Sequence, residues 1–272
     1  MIGVVGGMGP HAGLDLVAKV FAHTLAAQDQ DHLPLALLSV PSEIPDRTRF
    51  LLGQESRNPA LVIARILQQL EELGATVAGI PCNTSHTPRI FQSIRASLLE
   101  RGSRLRLLDM VEETVRFTAE NLPNGGRLAL LSTYGTHRAG TYRDAFSGSL
   151  FTPIALSDVE MADLVHLSIY HPDWGLKACP DPVQPQARER LSEACRRLEL
   201  QGAQAVILGC TELPFAFRHS RVSGMLAIDP AVALARALIR DLAPARLKPF
   251  REENPASIEA EPRGSFQTSL TA

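Results

Sequence analysis

The chain carries one passage twice, and that repetition constrains its fold more than any other feature. LEELGATVAGIPCNT in the first half is answered by RLELQGAQAVILGCT in the second. In both, Gly-Ala closes a helical pattern and opens an apolar run, and a cysteine stands 8 residues beyond the glycine, Cys82 after Gly74 and Cys210 after Gly202. The flanks repeat as well. VVGGMGPHAG corresponds to LLSTYGTHRAG, setting Gly9, His11 and Gly13 against Gly135, His137 and Gly140, and LLDMVEETVR around Asp109 corresponds to AIDPAVALAR around Asp229. Three segments in one order, at offsets of about 120 to 128 residues, are the mark of a duplicated unit. Two like lobes are expected.

Each unit reads as α/β. Short apolar runs at Ile2 to Val5, Leu35 to Val40, Val77 to Ile80, Leu128 to Leu131 and Ala205 to Leu208 alternate with helical patterns. Such continuous apolar runs are typical of parallel strands buried on both faces. Helices are expected over Ala60 to Leu73, where Leu61, Ile63, Ala64, Leu67 and Leu70 are placed on one face, over Pro185 to Leu200, and after Asp229, which can cap one. The expected division is a first lobe over residues 1–110, completed by a helix over 229–243, and a second over 111–228. The Glu-, Pro-, Ser- and Arg-rich tail over 248–272 is expected to be disordered. Parallel sheets hold ligands at the carboxyl ends of their strands, where both cysteines fall, so the site is expected in the cleft between lobes.

Bulk properties remove several classes of function. With 27 basic and 29 acidic side chains the formal charge is −2, so no general field draws the chain to nucleic acid or to an anionic membrane. The aromatic residues, 5% of the chain, are not interleaved with basic ones as a base-stacking platform requires. Neither a nucleic-acid nor a membrane partner is expected. The start, MIGVVGGMGP, lacks a basic region and has its apolar run broken by glycine; a cytoplasmic protein is expected. Four cysteines without CxxC spacing are expected to be free thiols. No close grouping of histidines suggests a metal site. GVVGGMG departs from GxGxxG and lacks a following Lys-Ser/Thr; it reads as a tight turn from strand to helix that lets a substrate approach the backbone.

A buried cysteine at a strand end is ordinarily a small core residue. The shared spacing changes that reading for Cys82 and Cys210, whereas Cys179 and Cys195 have no such partner in the repeat. Two thiols on opposite walls of a cleft can remove a proton from one face of a carbon and return one to the other. An ordinary cysteine pKa of about 8.5 keeps thiol and thiolate both within reach near neutrality. Asn83, Thr84 and Ser85 after the first cysteine and Thr211 after the second supply donors for a carboxylate. Glu212 stands where it can steer the Cys210 proton, and its charge would raise a neighbouring thiol's pKa. His86, four residues after Cys82, allows a Cys-His nucleophile pair, although that leaves the second cysteine without a role.

PCNTSH around Cys82, GCTELP around Cys210 and the N-terminal GGMGP together resemble the aspartate/glutamate/hydantoin racemase superfamily, most closely its aspartate racemase branch. The resemblance extends from Ile2 to about Leu242. It implies two pseudo-symmetric α/β lobes around a cleft, no cofactor and no metal, and a homodimer. It implies Cys82 and Cys210 as the proton-transfer pair, with Asn83, Thr84 and Thr211 around the substrate's α-carboxylate. SEIPDRT resembles the branch's distal-carboxylate motif and so implicates Arg47, whose guanidinium fork suits a carboxylate; GLKAC likewise implicates Lys177. Where the glutamate branch has an Asp-Ser pair and a histidine, this chain has Met8, Gly9 and Glu212, and it sides with the aspartate branch. With Ser85 and Thr133, these residues complete the expected substrate-binding set.

The expected activity is cofactor-independent interconversion of the aspartate enantiomers, or those of a related acidic amino acid. Alternatives are a broad-specificity racemase, a single-cysteine relative such as a maleate-type isomerase or malonate-type decarboxylase, and a non-catalytic amino-acid-binding protein.

Overall fold

The computed structural model describes residues 1–217 and 220–250. Among them two sheets form. The first contains β1 (Ile2–Gly6), β2 (Leu35–Ser39), β3 (Val77–Gly79) and β4 (Arg106–Leu107) in the order β2-β1-β3-β4, all parallel. The second contains β5 (Gly126–Ser132), β6 (Phe151–Ile154), β7 (Ala205–Gly209), β8 (Arg221–Val222) and β9 (Met225–Ile228) in the order β6-β5-β7-β9-β8. Only β8 runs antiparallel. Apart from that edge strand the two orders superpose, β1 on β5, β2 on β6, β3 on β7 and β4 on β9. The duplicated passages therefore occupy equivalent central strands, and the α/β fold with two mainly parallel sheets agrees with the sequence.

The five helices of the first half are α1 (Pro10–His23), α2 (Arg47–Leu51), α3 (Ala60–Glu72), α4 (Pro88–Glu100) and α5 (Met110–Asn121). In α3 the buried face is Ile63, Ala64, Ile66, Leu67 and Leu70. Leu61, expected on that face, is 66% exposed. At about 100° per residue it lies roughly 150° from the centre of the apolar stripe, too far round to reach the sheet. In the second half the Pro185–Leu200 helix buries Ala187, Leu191, Ala194, Cys195 and Leu198. Of the tail expected to be disordered, residues 251–272 lie outside the described residues. Lys248, just before them, donates its backbone N–H to His23 at the end of α1 (2.9 Å).

The final helix of each repeat crosses to the other sheet. After β4, α5 places Val111 and Phe117 among Leu128, Leu130, Ala205 and Ile207 of the second sheet. After β9, the Pro230–Leu242 helix places Ala231, Leu234 and Leu238 among Ile2, Val4 and Val77 of the first. Gly79 makes room for it, because a Cβ there would lie 3.0 Å from a Leu234 methyl. Both crossings begin at the repeated aspartates. Asp109 accepts from the N–H of Val111 and Asp229 from that of Ala231, each at 2.8 Å. Asp229 also pairs with Lys19 of α1 at 2.7 Å.

Leu234 is fully buried in this exchange. Leu234→Ala is expected to cost about 2–5 kcal/mol through lost burial and the cavity left behind. Chemical denaturation checks the magnitude, and hydrogen exchange should locate the lost protection in β1 and β3, the strands of the opposite sheet.

Candidate active site

The two cysteines end equivalent strands by different means. Pro81 has no N–H with which to extend the ladder, so β3 stops at Gly79, before the expected end at Ile80. Cys82 then takes an extended conformation and leads into a 3-10 turn over Asn83–His86. Cys210 directly follows Gly209, the last residue of β7. Both are buried, 4% and 5% exposed. His86 does not pair with Cys82. Its Nε2 meets the Ile80 carbonyl at 3.1 Å; a carbonyl only accepts, so Nε2 carries the proton. Its Nδ1 lies 3.3 Å from Asp109 without the alignment of a hydrogen bond. Burial raises the Asp109 carboxyl, but His86 and the two capping N–H groups outweigh it and hold it below the usual range. The Cys82 N–H also reaches the Ile80 carbonyl (2.8 Å), so His86 buttresses the loop that carries the thiol.

At the second strand end the Cys210 thiol donates to Glu212 Oε2 at 3.0 Å. The other carboxylate oxygen accepts from Lys177 Nζ at 2.6 Å and from the Gly9 N–H at 3.3 Å. A Cβ on residue 9 would come within 3.0 Å of that oxygen, so glycine is what allows the turn after β1 to close on Glu212. Burial, and next the Glu212 charge, push the Cys210 thiol well up. For Glu212 burial acts upward too, but Lys177 and the Cys210 donor outweigh it and hold the carboxyl low. Burial would lower Lys177, yet Glu212 reverses the sign and raises it.

Arg47 is buried at the start of α2, whose N-cap is Asp46. It opens a short helix because the Asp46 carboxylate accepts the Arg49 N–H (2.8 Å). Its two terminal nitrogens donate to the Met8 and Pro45 carbonyls at 3.2 and 3.4 Å, while Nε has no partner. Burial would lower its pKa, but the adjoining Cys82 sulfur, then Tyr170 and Asp46, reverse the sign. Arg47 thus sets a positive charge within electrostatic reach of the first cysteine, while Glu212 is hydrogen-bonded to the second.

Hydroxyls and amides knit the two strand ends together. Thr84 of the first repeat forms a triangle with Thr133 and Thr136 of the second, at 3.1, 2.9 and 3.0 Å. Asn83 accepts from the Tyr142 hydroxyl and leaves its own buried NH2 without a partner. The Thr211 hydroxyl donates to the Pro81 carbonyl at 3.3 Å. The Tyr170 hydroxyl bonds Asp46 and Thr48 at 3.3 Å each. Of the expected set, Gly9, Arg47, Asn83, Thr84, Thr133, Lys177, Thr211 and Glu212 come together at this seam. Met8 contributes its carbonyl, but its thioether is turned inward to accept the Ser85 hydroxyl (3.4 Å). Tyr142, Tyr170 and Thr136 join the seam without having been foreseen. Thr136 lies inside a repeated passage and could have been found there; Tyr170 comes from a stretch with no counterpart in the first half.

A cavity of about 210 Å³ opens on this seam, lined by Gly9, His11, Arg47, Leu176, Lys177 and Glu212. Larger hollows of about 460 and 580 Å³ lie elsewhere. No thiol lines any of the three, but the 210 Å³ cavity is the one bordered by Glu212, which accepts the hydrogen bond of the Cys210 thiol, and by Arg47 and Lys177; Lys19 in the 460 Å³ hollow is already paired with Asp15 and Asp229. Among the described residues no cluster of His, Cys, Asp or Glu could hold a metal, and no helix is long and apolar enough to cross a membrane.

The Glu212 carboxyl carries a pH signature. A carboxyl held below its unfolded value of about 4.3 adds stability that is complete above that pH and lost as pH falls through the lower folded value. Glu212→Gln should therefore lose less thermal stability than the parent between about pH 5 and pH 3. Melting curves across that window check it; parallel losses would separate acid sensitivity from Glu212.

The family model for Asp/Glu/hydantoin racemase matches residues 5–238. A glutamate racemase of Desulforudis audaxviator is 27% identical over 218 residues, covering 75% of this chain and 69% of its own. Among solved structures, the aspartate racemase of Picrophilus torridus superposes with a TM-score of 0.73 at 25% identity, over 88% of this chain and 93% of its own. An aspartate racemase homologue from Pyrococcus horikoshii does so at 0.64 and 20%, over 88% and 97%.

Proposed function

The chain belongs to the Asp/Glu/hydantoin racemase family, and on that premise we propose that it interconverts the enantiomers of aspartate, or of a closely related acidic amino acid. Cys82 and Cys210 are the two proton-transfer groups, and no cofactor is needed. The observation that carries the reading is the placement of one buried thiol at the end of each repeat-related strand, the second hydrogen-bonded to Glu212. One sulfur, as thiolate, takes the Cα proton; the other, as thiol, delivers its proton to the opposite face of the planar carbanion.

The charges favour an acidic amino acid. Arg47 and Lys177 are cationic and Glu212 anionic. Two carboxylates and one ammonium group complement that set. The free amide N–H of Asn83 and the Thr84, Thr133 and Thr136 hydroxyls offer donors to the α-carboxylate, where negative charge builds during proton removal. Lys177 is held by Glu212 in the free protein, so a substrate carboxylate must share it or draw it away. A homodimer is part of the same proposal, and sedimentation of the purified protein checks it.

Each enantiomer of aspartate, glutamate and alanine should be incubated separately in deuterium oxide without added cofactor, following optical rotation and deuterium at Cα. Aspartate is expected to racemise with deuterium incorporation and alanine far more slowly. Failure of every acidic amino acid to exchange would overturn the proposal. Binding without exchange would assign the chain to the non-catalytic alternative.

A further inference from the structure

We propose that Tyr142 is a positioning residue for the reaction: a strut between the two cysteine turns that holds the Asn83 amide with its oxygen on the phenol and its NH2 free for the substrate's α-carboxylate. The inference rests on the racemase reading and adds to it a residue outside both cysteine motifs.

The strut reaches the neighbour of each thiol. Tyr142 stands in the short helix Thr141–Ala145 of the second repeat and is buried in the core with Leu128, Leu130, Phe146 and Ile207. Its ring lies so close to Gly209, which directly precedes Cys210, that a Cβ there would come within 3.1 Å of it. Its hydroxyl crosses to the first repeat and donates to Oδ1 of Asn83, which directly follows Cys82. One rigid side chain thus touches both strand ends. A primary amide can turn end for end, and its partner decides which end faces which way. Burial pushes the Tyr142 hydroxyl well above its usual value, so it keeps its proton and offers it to the amide oxygen. The Asn83 NH2 is left buried with no partner. Burying an unpaired donor is unfavourable, and a carboxylate arriving with the ligand relieves it.

The consequence falls on the transition state. As the Cα proton leaves, negative charge spreads onto the α-carboxylate, and a donor held ready there stabilises it without reorganising. Turned end for end, the same amide would present its oxygen to that charge and repel it. Tyr142 therefore acts through Asn83, and on kcat more than on KM. The two enantiomers are equally stable in water, so kcat/KM changes equally in both directions.

Tyr142→Phe keeps the ring against Gly209 and removes only the hydroxyl. In the full-length protein kcat/KM for aspartate is expected to fall about tenfold, the effect of losing one hydrogen bond that orients a donor, with most of the loss in kcat. In Asn83→Ala the amide is gone, and adding Tyr142→Phe is expected to change kcat/KM by less than about twofold, the mark of two residues acting as one. Losses that multiply independently, or an unchanged kcat/KM in Tyr142→Phe, would overturn the inference. NMR of protein labelled with nitrogen-15 asparagine gives a reading without substrate, the Asn83 NH2 pair being assigned by its absence from Asn83→Ala. In the parent protein the pair is expected to show a cross-peak to the buried Tyr142 hydroxyl proton, a measurement that depends on no variant folding; in Tyr142→Phe the pair should shift. A missing cross-peak or an unmoved pair would equally overturn the strut. A cross-peak in a protein that exchanges no deuterium into any acidic amino acid would sink the racemase proposal alone, and exchange with no cross-peak would sink this one alone.

Discussion

Cys82→Ser and Cys210→Ser are each expected to abolish racemisation, with kcat lowered by about 10²- to 10⁴-fold, the range typical of losing a positioned acid or base. Serine fills nearly the same space, so packing is little disturbed; a hydroxyl is simply far too weak an acid to exist as its anion near neutrality. The two variants should nevertheless differ. With one sulfur left, a proton can still leave and return on that sulfur's face, washing deuterium into one enantiomer without inverting it. The variants are expected to retain exchange toward opposite enantiomers, which NMR of the α-proton and chiral chromatography together resolve. Full racemisation by either variant would remove that cysteine from the mechanism.

The second large effect is expected from Arg47→Ala. If the guanidinium engages a side-chain carboxylate, kcat/KM for aspartate should fall by about one to two orders of magnitude more than for alanine, as charge-assisted hydrogen bonds of about 1.5–3 kcal/mol imply. The structure adds a complication of known direction. Arg47 also donates to the Met8 and Pro45 carbonyls and adjoins Cys82, so part of the loss should fall on every substrate alike. Arg47→Lys separates the two contributions: it keeps the charge beside the sulfur but loses the fork. Equal losses for aspartate and alanine in both variants would confine Arg47 to the thiol and the loop.

The sequence was most legible where one constraint acted twice. The repeated Gly-Ala to cysteine spacing placed both central strands, and continuous apolar runs located β1, β2, β5 and β7 to within a residue or two. Elements fixed by tertiary contact were not legible in the same way. The α4 helix, opened by Pro88 and packed through Ile90, Phe91, Ile94 and Leu98, carries enough Arg and Ser to blur its stripe. The β6 strand contains Pro153 in a half-buried edge position, which weakens a strand pattern. At the site, residues inside the duplicated motifs came together, but their partners could not be read off. That Lys177 would meet Glu212, or that His86 would turn to Asp109 and away from Cys82, depends on elements far apart in sequence.

The exchange of final helices has a mechanical meaning. The chain passes from one sheet's side to the other's at Asp109 and again at Asp229, and the two helices that begin there pack on each other. Two crossings side by side fasten each sheet to a helix from the other repeat, so neither half can be displaced without uncovering apolar surface on both. The seam is thus held from behind by the crossed helices and in front by the contacts of Tyr170 with Asp46, Thr84 with Thr133 and Thr136, and Gly9 with Glu212.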